Sequence, residues 1–309
     1  MLKYALQAVI GVAILLILML KLVSNLRNLT IQFNLSLFFL SILAYTMLNL
    51  ILSFRIFYLI EMMGVKVDYS RVLLSHLGGM VVGDVTPGRS GYLLTPKILD
   101  KLTECGIDKG LAAIVTPQGI EFVLKALGAL IAIVYLFTKS NLSREFYYVF
   151  LLAILIVLLG GALFLVLSWS KEEKSKSLIE KLPYFGKYSY ILLEFKNSSI
   201  KIKKLLPQIF ALYMAGWIVS GLQWYFIGKS ININLSFVDF FFLHPLISTL
   251  TFVPLTPAGL GIMESGSILV FYFLGIDPSL AFVFSILARL SNIIGDLPGL
   301  MIFARKLVD

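Results

Sequence analysis

Cysteine, histidine and charge are the scarce ingredients of this chain. Its 309 residues include one cysteine, Cys105, and two histidines, His76 and His244. A lone cysteine excludes an internal disulfide and a cysteine-built metal cluster. The sequence offers neither a metal-ligand cluster nor an evident nucleophile–base set, so no metal, no cofactor and no catalytic residues are expected. No Gly-x-x-x-x-Gly-Lys-Ser/Thr phosphate loop occurs, which excludes that route to ATP. Charged residues make up 14% of the chain, against about 25% in soluble domains.

Hydrocarbon takes the place of charge. The chain is 59% hydrophobic with a mean hydropathy of +0.93. Its apolar runs reach the roughly 18–20 residues that cross a bilayer as a helix. The expectation is an all-α, polytopic integral membrane protein, one membrane domain over residues 1–309. The net charge of +9 is carried by loops between apolar segments. That pattern fits membrane topology and anionic lipid head groups, not nucleic acid. Lys3 precedes the first apolar run with no small-residue cleavage site behind it, so a retained first span is expected.

Six full spans are expected, at 5–23, 35–60, 111–137, 146–168, 207–227 and 279–303. Arg55 lies near the end of the second, where it can snorkel. Two further regions are short and broken: 72–85 with 92–99, and 238–253 with 262–274. Fourteen residues rise only about 21 Å, short of a ~30 Å hydrocarbon core. Each region is read as a re-entrant helical hairpin around a proline–glycine break. Residues 169–205 read as a polar loop with nine lysines and four glutamates, expected to be cytoplasmic. Counting outward places both termini in the cytoplasm and the protein in the cell membrane.

Three landmarks recur in order. Val67-Asp-Tyr matches Val238-Asp-Phe, Thr86-Pro matches Thr256-Pro, and Gly106-Ile-Asp matches Gly275-Ile-Asp, at offsets of 171, 170 and 169. An odd number of spans between the hairpins makes them enter from opposite faces. The expectation is an inverted repeat, 35–168 against 206–309, with 169–205 between.

The breaks are Val85-Thr-Pro-Gly-Arg-Ser-Gly91 and Pro254-Leu-Thr-Pro-Ala-Gly-Leu-Gly-Ile-Met-Glu264. Thr86, Pro87, Gly88 and Gly91, with Pro254, Pro257, Gly259 and Gly261, are their structural residues. Backbone broken at membrane depth must be buried in protein or line a polar cavity. Arg89, beside loop amides, suits a phosphate or snorkels, and Asp84 is its nearest partner. Glu121 and Lys125 share a helix face, either as an ion pair between helices or as part of a polar path. Arg289 has no acid at i±3 or i±4, so its partner lies on another element; Asp296 is two turns away. Glu264 starts a helix, where the dipole favours an anion. It is a helix-start acid, a proton carrier, or a counter-charge to lipid or Arg289. His76 and His244 read as hydrogen-bonded packing residues. Asn141-Leu-Ser143 is a sequon in an outer loop.

The second break resembles the Pro-x-x-Pro-Gly-Gly-Leu-Gly-x-x-Glu motif of the lysylphosphatidylglycerol synthase transmembrane region, also called flippase-like or UPF0104 proteins. Ala258 stands where glycine is usual. Thr86-Pro-Gly-Arg-Ser-Gly91 resembles that family's first motif, with Tyr92 in place of an acid. Glu121 is followed by Phe122 where the family often has arginine, and Arg289 matches a recurring arginine. The resemblance implies movement of lipids or lipid-linked sugars between leaflets. With 169–205 too short for a catalytic domain, synthase activity is not expected. The leading expectation is a translocase for an anionic or phosphate-bearing lipid, with Arg89 and Arg289 holding the head group and Glu121, Lys125 and Glu264 completing the site. The alternatives are a membrane-embedded head-group transferase, or a membrane partner that docks a separate glycosyltransferase or synthase through 169–205. Oligomeric state is not legible.

Overall fold

The computed structural model describes residues 2–28, 32–138, 144–170 and 189–304. Every regular element among them is helical. In order these are α1 (Leu2–Asn28), α2 (Leu35–Met62), α3 (Tyr69–Asp84), α4 (Thr95–Thr103), α5 (Ile107–Phe137), α6 (Arg144–Trp169), α7 (Ser189–Lys203), α8 (Leu206–Ser230), α9 (Phe237–Ser248), α10 (Ile262–Phe273), α11 (Pro278–Asp296) and a last turn, α12 (Met301–Ala304). The sequon at 141–143 lies outside the described residues.

Short polar side chains start these helices. Asn34 Oδ1 accepts from Leu37 N at 3.1 Å and Asp68 Oδ1 from Arg71 N at 3.2 Å. Ser236 and Asp239 close a reciprocal capping box on α9, satisfying amides that would otherwise be orphaned in an apolar medium. Asp277 caps α11 through Ser279 N at 2.7 Å. The repeated landmarks thus do matching jobs. Asp68 and Asp239 secure the starts of α3 and α9. Gly106 and Gly275 hold φ of 89° and 74°, a left-handed turn closed to most side chains, just before the long helices α5 and α11.

Among the described residues, five helical stretches are long and apolar enough to cross a membrane: Leu35–Met62, Ile107–Phe137, Tyr148–Trp169, Leu206–Ser230 and Pro278–Ala304. They match five of the six expected spans. The sixth, 5–23, lies in α1, whose described apolar stretch is Val9–Leu22. Leu152, Leu159, Leu163 and Val166 of α6 are each more than half exposed, as lipid-facing side chains must be. The chain is a multi-pass membrane protein.

Inside, one apolar cluster joins α5, α6 and α8 to α11 around Phe240, Phe271 and Phe284; a second joins α2, α4, α5 and α7 around Ile56, Leu59, Leu99 and Ile114.

Two expectations are corrected. Residues 169–205 are not all loop, because Ser189–Lys203 is the helix α7. Phe195, Ser198, Ser199 and Ile202 form its buried face at the i, i+3, i+4, i+7 spacing of a helix. Two of the four are serines, so hydropathy misses it. Ser199 Oγ donates to Phe195 O, and the Thr116 hydroxyl of α5 sits 2.9 Å from both Ser199 Oγ and Ser168 Oγ. Arg55 does not snorkel either; it is 1% exposed, because Glu121 and Tyr213 draw its guanidinium inward.

Candidate functional site

The site is built where the two breaks meet. α3 stops at Asp84, and Gly88 and Arg89 follow with φ of 58° and 56°. Gly91 N donates to Thr86 Oγ1 at 2.7 Å, folding the loop on itself. In the second break, Ala258, Gly259 and Gly261 have φ of 42°, 67° and 81°. The breaks then pair with each other. Pro87 and Pro257 lie opposite in an isolated antiparallel bridge. Neither proline has an N–H to give, so the donor is Ala258 N, which reaches Thr86 O at 3.0 Å. From outside, Gln7 Nε2 of α1 donates to Pro254 O at 3.1 Å. Freed backbone groups are thereby met within the protein, as a low-dielectric medium requires.

Beside the paired breaks lies a cavity of about 530 Å³, lined by side chains of both apolar clusters and by Gly88, Arg89, Pro257 and Ala258. Arg89 forms an ion pair with Asp84. Lys125 Nζ lies 2.7 Å from Glu121 Oε1 and 4.7 Å above the centre of the Phe252 ring. Arg289 Nε donates to Glu264 Oε1 at 2.8 Å, and Glu264 Oε2 accepts from Gly261 N at 2.7 Å.

Of the five sequence-predicted binding residues, Arg89, Glu121, Lys125 and Arg289 line this one cavity. Glu264 does not. It is fully buried, fixing Arg289 to the turn that opens α10. Asp296 is bonded to Tyr45 and Asn49. His76 is held between Tyr92 Oη (2.9 Å) and Asn49 Oδ1 (3.3 Å), while His244 packs edge-on against Trp224.

Arg55 is the residue that sequence reasoning missed. Its Nη1 lies 3.8 Å from Glu121 Oε2 and its guanidinium 4.6 Å over the Tyr213 ring. It sits seven residues from the end of α2, about 10 Å inside. A charge that deep in an apolar span is itself a signal. With Arg55, four cations line the cavity against the two carboxylates of Asp84 and Glu121. The guanidiniums are incompletely satisfied: Arg55 Nε and Nη1, Arg89 Nε and Arg289 Nη2 are buried without a hydrogen-bond partner. Leaving a buried charged donor unpaired costs upward of about 1–3 kcal/mol.

A sequence profile described as the lysylphosphatidylglycerol synthase TM region matches residues 8–297. The chain belongs to that family. A UPF0104 membrane protein of Methanocaldococcus jannaschii is 30% identical over 217 residues, 68% of this chain and 87% of that protein. No solved structure matches the chain. Three positions singled out by the resemblance take on physical meaning. Ala258 holds a left-handed backbone, the region that glycine favours. Tyr92 uses its hydroxyl on His76. Phe122 packs at 5.8 Å on Phe164 and 4.7 Å on Phe252, leaving Arg55 to bring a guanidinium to Glu121.

Proposed function

We propose that this protein moves an anionic or phosphate-bearing lipid head group between leaflets. The observation that carries the reading is a set of three incompletely hydrogen-bonded guanidiniums, those of Arg55, Arg89 and Arg289, among the residues that line one cavity. Guanidinium forks match phosphate oxygens in charge and geometry. A volume of about 530 Å³ is in the range of small-ligand sites, enough for a head group while the acyl tails stay in the bilayer.

In this reading Arg289 and Arg89 bind the head group, one beside each break. Lys125 adds a further cation for it, Glu121 is the counter-charge to Lys125 and Arg55, and Glu264 is a positioning residue for Arg289. The breaks are re-entrant hairpins of an inverted repeat, 35–168 and 206–309. The antiparallel Pro87–Pro257 pairing supports the opposed approach of the two segments. The protein sits in the cell membrane with both termini cytoplasmic and acts as a carrier, not an enzyme; lipid is its partner.

Native mass spectrometry of the purified protein tests this reading. Wild type should retain an anionic phospholipid over a diacylglycerol of the same chains, which carries neither charge nor phosphate. Arg289→Gln should cut that retention about 10-fold or more, the equivalent of one charge-assisted hydrogen bond. Equal retention of both lipids by wild type contradicts the proposal.

A further inference from the structure

Among the described residues, four carboxylates stand in or directly behind the cavity, and three are matched to a cation. Asp84 pairs with Arg89, Glu121 with Lys125 and Arg55, and Glu264 with Arg289. Asp296 is different. Its Oδ2 accepts from Tyr45 Oη at 2.8 Å and its Oδ1 from Asn49 Nδ2 at 2.8 Å, both neutral donors. It is 1% exposed and is the final residue of α11, at the negative end of that helix's dipole.

The other ionisable groups around Asp296 come from neighbouring elements. From α2 comes Tyr45. From the first break come Asp84 and its partner Arg89, close enough to act through space. From α3 comes His76, linked through Asn49 to Asp296 and through its other nitrogen to Tyr92. Facing α11 from α8 is the uncharged Gln223, which reaches Ser291 and Asn292.

We propose that Asp296 is a proton-binding site coupled to head-group movement, loaded from the cavity through the Tyr45 hydroxyl. The argument is one of charge balance. Protonating Glu264, Glu121 or Asp84 strips a buried guanidinium or ammonium of its counter-ion. Protonating Asp296 leaves no cation unpaired. Tyr45 lines the cavity and donates to Asp296. As its proton passes to Oδ2, its oxygen takes one from cavity water, so the tyrosine ends neutral and the carboxyl gains one proton. Protonated Asp296 then accepts less strongly from Tyr45 and Asn49, the two groups that tie the end of α11 to α2. Because α11 also carries Arg289, loosening that tie moves a head-group ligand. Net uphill movement of a lipid requires an energy source, and the proton supplies one where no Gly-x-x-x-x-Gly-Lys-Ser/Thr loop exists.

This inference rests on the translocase reading, and two measurements separate their failures. Infrared difference spectra of the purified protein, acid minus alkaline buffer, should show a protonated-carboxyl stretch that disappears in Asp296→Asn. In proteoliposomes holding a labelled anionic phospholipid, a pH gradient should accelerate exchange by wild type. Asp296→Asn should keep gradient-free exchange but lose the acceleration. Tyr45→Phe, which preserves the ring and its packing, should keep the infrared band but slow the response. An unchanged band in Asp296→Asn overturns the proton site, and exchange by wild type indifferent to the gradient overturns the coupling. A band assigned to Asp296 with no exchange by wild type overturns the translocase reading and the coupling, and upholds the proton site.

Discussion

The backbone N–H of Ala258 donates to the carbonyl of Thr86 at 3.0 Å, joining two chain breaks that lie some 170 residues apart. The bond requires Ala258 to hold φ of 42°, a region that costs an L-residue about 1–2 kcal/mol. Ala258→Gly relieves that strain and keeps the N–H. It should raise stability by about 1 kcal/mol, read as a higher midpoint in denaturant or thermal unfolding in detergent, with lipid retention unchanged.

Glu264 and Arg289 form a pair in which the acid is fully buried and the arginine faces the cavity. Glu264→Gln leaves Arg289 without its counter-charge and should cost about 3 kcal/mol of stability. Pairing it with Arg289→Gln should recover part of that loss, since no lone charge remains, but head-group exchange should stay lost. Coupled recovery of stability without recovery of exchange separates the structural role of Glu264 from the binding role proposed for Arg289.

The Ser199 hydroxyl packs α7 against Thr116 of α5 in a fully buried contact. Ser199→Leu overfills that contact and should destabilise the docking by about 1–3 kcal/mol. Faster limited proteolysis within Ser189–Lys203 is the expected readout.

Cys105 is the chain's one cysteine and is 2% exposed, between α4 and α5. Burial pushes its thiol above the ordinary value. The ordinary thiol, near 8.5, is only about 3% thiolate at neutral pH, and Cys105 carries less. Maleimide labelling of folded protein should therefore be slower than that of unfolded protein at neutral pH. It should accelerate only at a higher pH than labelling of the unfolded chain does.

Much of this arrangement is legible in the sequence, for identifiable reasons. Proline, glycine and intramembrane charge are discrete signals, so both breaks and the charges Glu121, Lys125 and Arg289 stand out. Arg289 without a local acid correctly points to a partner on another element, Glu264. Arg55 is missed because a charge near a helix end is normally assumed to reach water, yet Glu121 and Tyr213 hold it inside. The inward face of α7 is missed because its contacts are made by Ser198 and Ser199, which hydropathy counts as polar. The pairing of the breaks is carried by backbone atoms, and no side-chain pattern announces it.

The central claim is that guanidiniums in one cavity carry an anionic head group across the membrane. The most direct measurement is exchange of a head-group-labelled anionic phospholipid in proteoliposomes, comparing wild type with Arg289→Ala and Glu264→Gln, each verified as folded. Loss of one charge-assisted hydrogen bond corresponds to a slowing of about 10–100-fold. The account predicts that slowing in both variants. Folded variants that exchange the lipid as fast as wild type contradict it.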